Sequence, residues 1–216
     1  MQSHASTTPK VIVQIVTPEG VPLSDAVVVV PGAAASTGPA QTRVMDQIHR
    51  AFVPHVLTLS AGDLVTFPNS DNIRHHVYSF SEPKPFEIRL YADTPKAPVE
   101  FPKAGVVVLG CNIHDDMLGY LFIAKSTDLA LQTDDEGQIE LPLIPTSLEV
   151  WHEHHSVSAS ELMVLTESEI TAQIVSQTDQ LVQIQVVMPL AVNNEPASTS
   201  VQSNRNLPAF GNPMRR

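Results

Sequence analysis

The chain has 216 residues, 43% of them hydrophobic and 16% charged, with a single Cys and a net charge of −11. That length suits one large domain or two small ones with a real core, one cysteine excludes an internal disulfide framework, and no apolar run approaches the roughly 20 residues of a membrane span. The acidic balance argues against nucleic acid as a partner, which asks for a basic footprint.

The opening MQSHASTTPK is short and polar, with no signal-peptide core. Either the protein is cytoplasmic or a leader is missing from this sequence, and the site described below favours the second. Residues 11–30, VIVQIVTPEGVPLSDAVVVV, predict two strands around the turn residues Pro18, Glu19 and Gly20. Residues 31–42 are small, rich in Pro and Gly, and uncharged, which predicts a linker. From Arg43 short β-forming runs alternate with turns: HVLTLSAGDLVTF, HHVYSF, FEIRLY, GVVVLGC and GYLFIA. Gly62-Asp63 reads as a hairpin-type turn. From Thr127 the chain turns acidic, with twelve acidic and three basic residues to the end, read as a solvated face. QIEL, SLEVWH, EITAQIV and QLVQIQVVM predict further strands, and residues 191–216, rich in Asn, Ser, Pro and Gln, predict a disordered tail. Abundant valine, sparse aromatics and the lack of a long helical stripe make the expected fold all-β.

The single cysteine stands in GCNIHDDMLG, residues 110–119, with His three places on and Met six places on. A lone Cys is ordinarily a small buried hydrophobe. Thiolate, imidazole and thioether together, however, select a soft or borderline metal, and two His and one Cys with a weak axial Met are the ligands of a copper electron-transfer site. Zinc fits less well, because its structural sites use four Cys or His ligands. Cys111, His114 and Met117 supply three donors from a loop between GVVVLGC and GYLFIA. A fourth must come from a distant strand, and VTFPNSDNIRHHVYSF, residues 65–80, offers it.

Val65, Phe67 and Asn69, then His75-His76-Val77, then Cys111, His114 and Met117 before GYLFIA, resemble the cupredoxins, most of all their amicyanin and plastocyanin branch. The resemblance implies a Greek-key β-sandwich over residues 42–126. It also implies one copper ion, cycling between Cu(I) and Cu(II), on His75, Cys111, His114 and Met117. Six places after the Asn and one before X-Val, His75 meets the family pattern; strand alternation turns His76 to the opposite face, and His76 remains the alternative ligand. In the family the residue after the ligand His is often an Asn that ties the two ligand loops together, and here it is His76. Asp115 and Asp116 replace residues that are usually apolar or Pro.

The stretch LALQTDDEGQIELPLIPTSLEVWH resembles a carboxypeptidase regulatory-like domain, a small transthyretin-like β-sandwich, through Thr133, Asp134, Gly137, Ile139, Leu141, Pro145 and Leu148 to Trp151. Residues 11–30 resemble that family's opening hairpin. Residues 10–31 and 127–190 are therefore expected to form one discontinuous sandwich interrupted by the copper domain, the alternative being that the N-terminal strands join the cupredoxin sheet. His4, His49 and His55 have no spacing partner and are expected on the surface or in loops. WHEHHS, residues 151–156, carries a His-X-His like that of multicopper oxidases, but only one such pair; it is expected to be a solvated strand end, with a labile second metal site as the lesser reading.

The expected function is one-electron transfer by a mononuclear type 1 copper protein to or from a redox partner protein, in the periplasm or another extracytoplasmic space. The alternative is a periplasmic copper carrier or storage protein. No nucleic-acid partner, membrane span or enzymatic activity is expected.

Overall fold

The computed structural model describes residues 9–34, 38–95 and 97–191. The expected tail, apart from Ala191, and His4 lie outside the described residues. Among the described residues eighteen strands follow one another: β1 (Lys10–Val16), β2 (Val27–Val30), β3 (Thr42–Val44), β4 (Asp46–Ile48), β5 (Ala51–Val53), β6 (Val56–Ser60), β7 (Leu64–Thr66), β8 (His75–Ser79) and β9 (Phe86–Tyr91) come first. Then come β10 (Val99–Glu100), β11 (Gly105–Cys111), β12 (His114–Ala124), β13 (Leu129–Gln132), β14 (Gln138–Leu141), β15 (Ser147–Trp151), β16 (Met163–Thr166), β17 (Ile174–Gln177) and β18 (Leu181–Val187). A helix, α1 (Glu167–Ala172), stands between β16 and β17. The protein is all-β, as its composition implies.

Four sheets carry most of the structure. Their strand orders are β14-β1-β18-β17, β13-β2-β15-β16, β6-β12-β11-β8-β9 and β10-β7-β3, and β4 pairs with β5. The first two face each other across a core in which Val11, Val13 and Ile15 meet Val28, Val30, Leu148 and Val150. The third closes on the fourth and its connecting segments through Val107, Leu109, Leu121 and Ile123 against Met45, Phe52, Val65, Phe67 and Phe101. A third apolar layer, with Val27, Val29 and Trp151 on one side and Val56, Val106, Tyr120 and Phe122 on the other, joins the two pairs back to back.

This stacking explains two runs of the sequence. Strands buried on one face alternate apolar and polar residues, whereas strands buried on both read as continuous apolar runs. In β2 all four valines are buried, and in β12 every residue from Tyr120 to Ala124 is buried. Alternate residues of each strand serve different cores.

The N-terminal strands pair across the length of the chain. Strand β1 runs antiparallel to β14 and parallel to β18, while β2 lies between β13 and β15. Thr133 pins this arrangement from a buried position: its hydroxyl donates to Leu23 O at 2.8 Å and accepts from Ala26 N–H at 2.9 Å.

Three local expectations are corrected. Residues 11–30 are not a hairpin, because β1 and β2 belong to different sheets and the turn carries the chain between layers. Nor is Gly62-Asp63 a hairpin turn: β6 pairs in parallel with β12, while β7 pairs in parallel with β3 and antiparallel with β10. The Asp63 carboxylate instead holds a corner by accepting from Gln41 N–H and Ser60 N–H at 2.8 and 3.0 Å. EITAQIV begins as helix rather than strand. Its local alternation is outweighed by a capping box, in which Glu169 reaches back to Thr166 N–H at 2.8 Å, and by Glu167 and Glu169 in the first turn.

Candidate metal centre

Strands β8, β11 and β12 bring the sequence-predicted donors to one end of the second sandwich. In β8 the inward positions are His75, Val77 and Ser79, while His76 and Tyr78 face outward, as period-two alternation requires. The register sets Cys111 opposite Val77. Strands β11 and β12 form a tight hairpin in which Cys111 pairs with His114 and Gly110 with Leu118. The three residues skipped in that register, Asp115 to Met117, bulge out of the ladder. Asp115 and Asp116 face solvent, and Met117 turns into the core beside Cys111. Met117 is 1% exposed and Cys111 3%, so the thioether and thiol share a dry environment.

The geometry of the nitrogen and sulfur donors is specific. Cys111 Sγ lies 3.6 Å from Nδ1 of His75 and 3.8 Å from Nδ1 of His114. One donor atom from each of the three residues lies within 4.8 Å of the other two. A nitrogen and a sulfur bound to one first-row metal at about 2.0 and 2.3 Å stand roughly 3.5–3.7 Å apart at tetrahedral to trigonal angles. Both separations match that edge closely, so the residues fit a soft or borderline metal ion without rearrangement. His75 is fully buried, and His114 is half-buried and thus the donor nearest solvent.

The surrounding shell is built from the loop between β7 and β8. Asn69 donates from Nδ2 to Ile73 O at 2.8 Å and Tyr91 O at 3.1 Å, and its Oδ1 accepts from Asp71 N–H at 3.0 Å. Tyr91 donates its hydroxyl to Phe67 O at 2.8 Å, and burial pushes its pKa up to about 12. Asp71 Oδ2 lies 2.7 Å from His75 Nε2. Burial pushes the Asp71 carboxyl up, but Arg50 N–H, the His75 ring and His49 N–H outweigh it and hold the group below the usual carboxylate range. A backbone bond from Asn112 N–H to His76 O, 3.3 Å, ties the two ligand segments together in place of an Asn side chain. His76 itself turns to Glu87, 3.0 Å away, on the outer face.

Cys111, His75 and Asp71 also stand in the order of a thiol–imidazole–carboxylate relay. The thiol is buried, however, with Cys111 only 3% exposed.

The remaining histidines are elsewhere. His55 lies in the loop between β5 and β6, as expected, and is bonded through Nε2 to Glu153 Oε1 at 3.0 Å. That bond, against the opposing effect of burial, raises its pKa. His152 is buried and its Nδ1 accepts from His154 N–H at 3.2 Å, so part of the WHEHHS run is interior rather than a solvated strand end. His155 lies 2.8 Å from Pro189 O.

Asp71 is the residue the sequence did not single out. It sits four places before His75 in a polar loop, where nothing in residue type or spacing separates it from Ser70 or Asn72.

No protein-family model matches the chain, and no curated protein matches it. Solved structures similar to it include a copper-containing nitrite reductase from Thermus scotoductus SA-01, 25% identical, with a TM-score of 0.35. That likeness covers 40% of this chain and 22% of the reductase. An oxidised amicyanin variant is 18% identical over 46% of this chain and 98% of its own, with a TM-score of 0.34. A purple cupredoxin from Nitrosopumilus maritimus is 20% identical over 39% of this chain and 99% of its own, with a TM-score of 0.33. The presence of a reductase among these neighbours overturns the expectation that the chain lacks enzymatic activity, and that expectation is withdrawn. No helix of the described residues is long and apolar enough to cross a membrane. With every TM-score below 0.5, these likenesses do not assign the chain to a family.

Proposed function

We propose that the protein is a mononuclear type 1 copper protein that carries single electrons, working in the periplasm or another extracytoplasmic space. The observation that carries this reading is the convergence of Cys111 Sγ with the Nδ1 atoms of His75 and His114 at 3.6 and 3.8 Å. When bound, a copper ion would supply the one-electron couple. Cys111 would hold it as thiolate, His75 and His114 as neutral imidazoles, and Met117 as the weak axial donor.

The chain's own contribution is rigidity and exclusion of water. Three of the four residues are buried, and His75, Cys111 and His114 occupy paired positions on their strands, which leaves the donors little room to move between oxidation states. His114 is the donor nearest solvent. Near it, Ile113 and Leu118 are exposed, forming a partly apolar surface suited to brief contact with a redox partner protein. The sandwich of sheets β14-β1-β18-β17 and β13-β2-β15-β16 is read as the regulatory-like domain, built from residues 10–31 and 127–190 around the copper domain of residues 42–126, and serves as a support.

Electrochemistry and metal exchange test this together. The copper-loaded protein is expected to give a reversible one-electron wave and to lose copper slowly to a chelator. Rapid loss with no reversible wave would contradict the electron-carrier reading and favour a copper carrier or store.

A further inference from the structure

We propose that Asp71 is a positioning residue of the metal centre, which fixes the tautomer of His75 and biases the bound metal toward its higher charge. This inference rests on the copper reading above and adds a determinant of the site's redox poise.

The argument begins with the ring. A histidine ligates through one nitrogen, and the partner of the other decides which nitrogen carries the proton. His75 turns Nδ1 toward Cys111 Sγ, and its Nε2 is 2.7 Å from Asp71 Oδ2. A carboxylate can only accept, so Nε2 carries the hydrogen and the lone pair of Nδ1 faces the thiol. The ring is fully buried and the Asp71 side chain is 9% exposed, so water competes weakly for either group. A carboxylate behind a ligating imidazole raises the ring's basicity and orients it. Its negative charge, close by in a dry site, favours Cu(II) over Cu(I).

Asp71 is in turn held from a distant part of the chain. Oδ1 accepts from His49 N–H at 2.7 Å, and Oδ2 accepts from Arg50 N–H at 2.8 Å. Both residues lie at positive φ, 54° and 62°. A left-handed non-glycine residue costs on the order of 1–3 kcal/mol and persists where its surroundings over-determine it. Here two in succession point their N–H groups at one carboxylate, an anion-binding arrangement. The turn between β4 and β5 thus aims Asp71 at His75 across a separation that local sequence does not reveal.

The test uses the full chain in two forms. In the metal-free protein, nitrogen-15 NMR should find His75 as the Nε2–H tautomer, with a slowly exchanging ring proton. Asp71→Asn should speed that exchange. In the copper-loaded protein, Asp71→Asn should lower the Cu(II)-to-Cu(I) affinity ratio about tenfold, a rise of roughly 59 mV for one electron, while Asp71→Glu, which keeps the charge, should stay closer to wild type. A role confined to the loop would lower thermal stability in both variants and leave the potential in place. An Nδ1–H tautomer in the metal-free protein, or an Asp71→Asn potential equal to wild type, overturns the proposal. If Asp71→Asn does not fold, the wild-type tautomer decides. If wild-type protein forms no copper–thiolate band, the copper reading fails by itself and the tautomer measurement still stands.

Discussion

Replacing Phe122 with Ala tests the back-to-back packing of the two sandwiches. Phe122 is 4% exposed on β12 and meets Trp151 on β15, with ring centroids 5.7 Å apart. Trp151 is fully buried, also contacts Tyr120, and donates its indole N–H to Ala159 O at 2.8 Å. Truncating a buried Phe costs about 3–5 kcal/mol, through lost transfer energy and the cavity left behind. Loss of the aromatic pair accounts for roughly 0.5–1.5 kcal/mol of that scale. Against a total stability of about 5–15 kcal/mol, the effect is large and easily read. Trp151 is the only tryptophan in the chain, so its fluorescence reports this layer alone. Urea unfolding of the Phe122→Ala protein should show the loss, with Trp151 emission already red-shifted in the folded state. A change below about 1 kcal/mol with unaltered emission would refute the packing described. Unfolding of the two sandwiches as one unit would keep the m-value near wild type.

Three further outcomes are expected. Thr133→Val leaves Ala26 N–H and Leu23 O without their buried partner and should cost about 1–3 kcal/mol in calorimetry; a neutral result would show that the strand crossing does not depend on it. Gly119→Ala places a Cβ 2.7 Å from that of Phe52, so overpacking of about 1–3 kcal/mol should lower the melting temperature, and an unchanged value would contradict the close approach. The His55–Glu153 pair should make stability pH-dependent. His55 has a raised folded pKa, so its contribution is complete below its unfolded value and fades as pH rises through the folded one. Burial pushes Glu153 up, but His55 and Tyr120 outweigh it; its lowered pKa gives stability that is lost only as pH falls through the acid range. The melting-temperature advantage of wild type over Glu153→Gln should therefore shrink as pH rises past neutrality, and an advantage that does not vary with pH would sink this reading.

Sequence was most informative where chemistry and periodicity are local. Cys111, His114 and Met117 lie within seven residues of one another, and the alternation of β8 sends His75 inward and His76 outward. Where the structure depends on distant partners, residue patterns were silent or misleading. The corner at Gly62-Asp63 has the composition of a hairpin, yet its strands pair with segments far along the chain. Strand-like alternation in EITAQIV gave way to a capping box running from Thr166 to Glu169. The apolar runs of β2 and β12 marked strands, but only the stacked sheets explain why both faces are buried. Asp71 was invisible because its significance depends on N–H groups more than twenty residues earlier.

The most direct measurement is the visible absorption spectrum of the protein loaded with one equivalent of Cu(II), beside that of Cys111→Ser. Sulfur-to-copper charge transfer predicts an intense visible band in the wild type that is absent from the variant. Copper bound by wild type without that band, or a band that survives in Cys111→Ser, would contradict a metal centre built on Cys111.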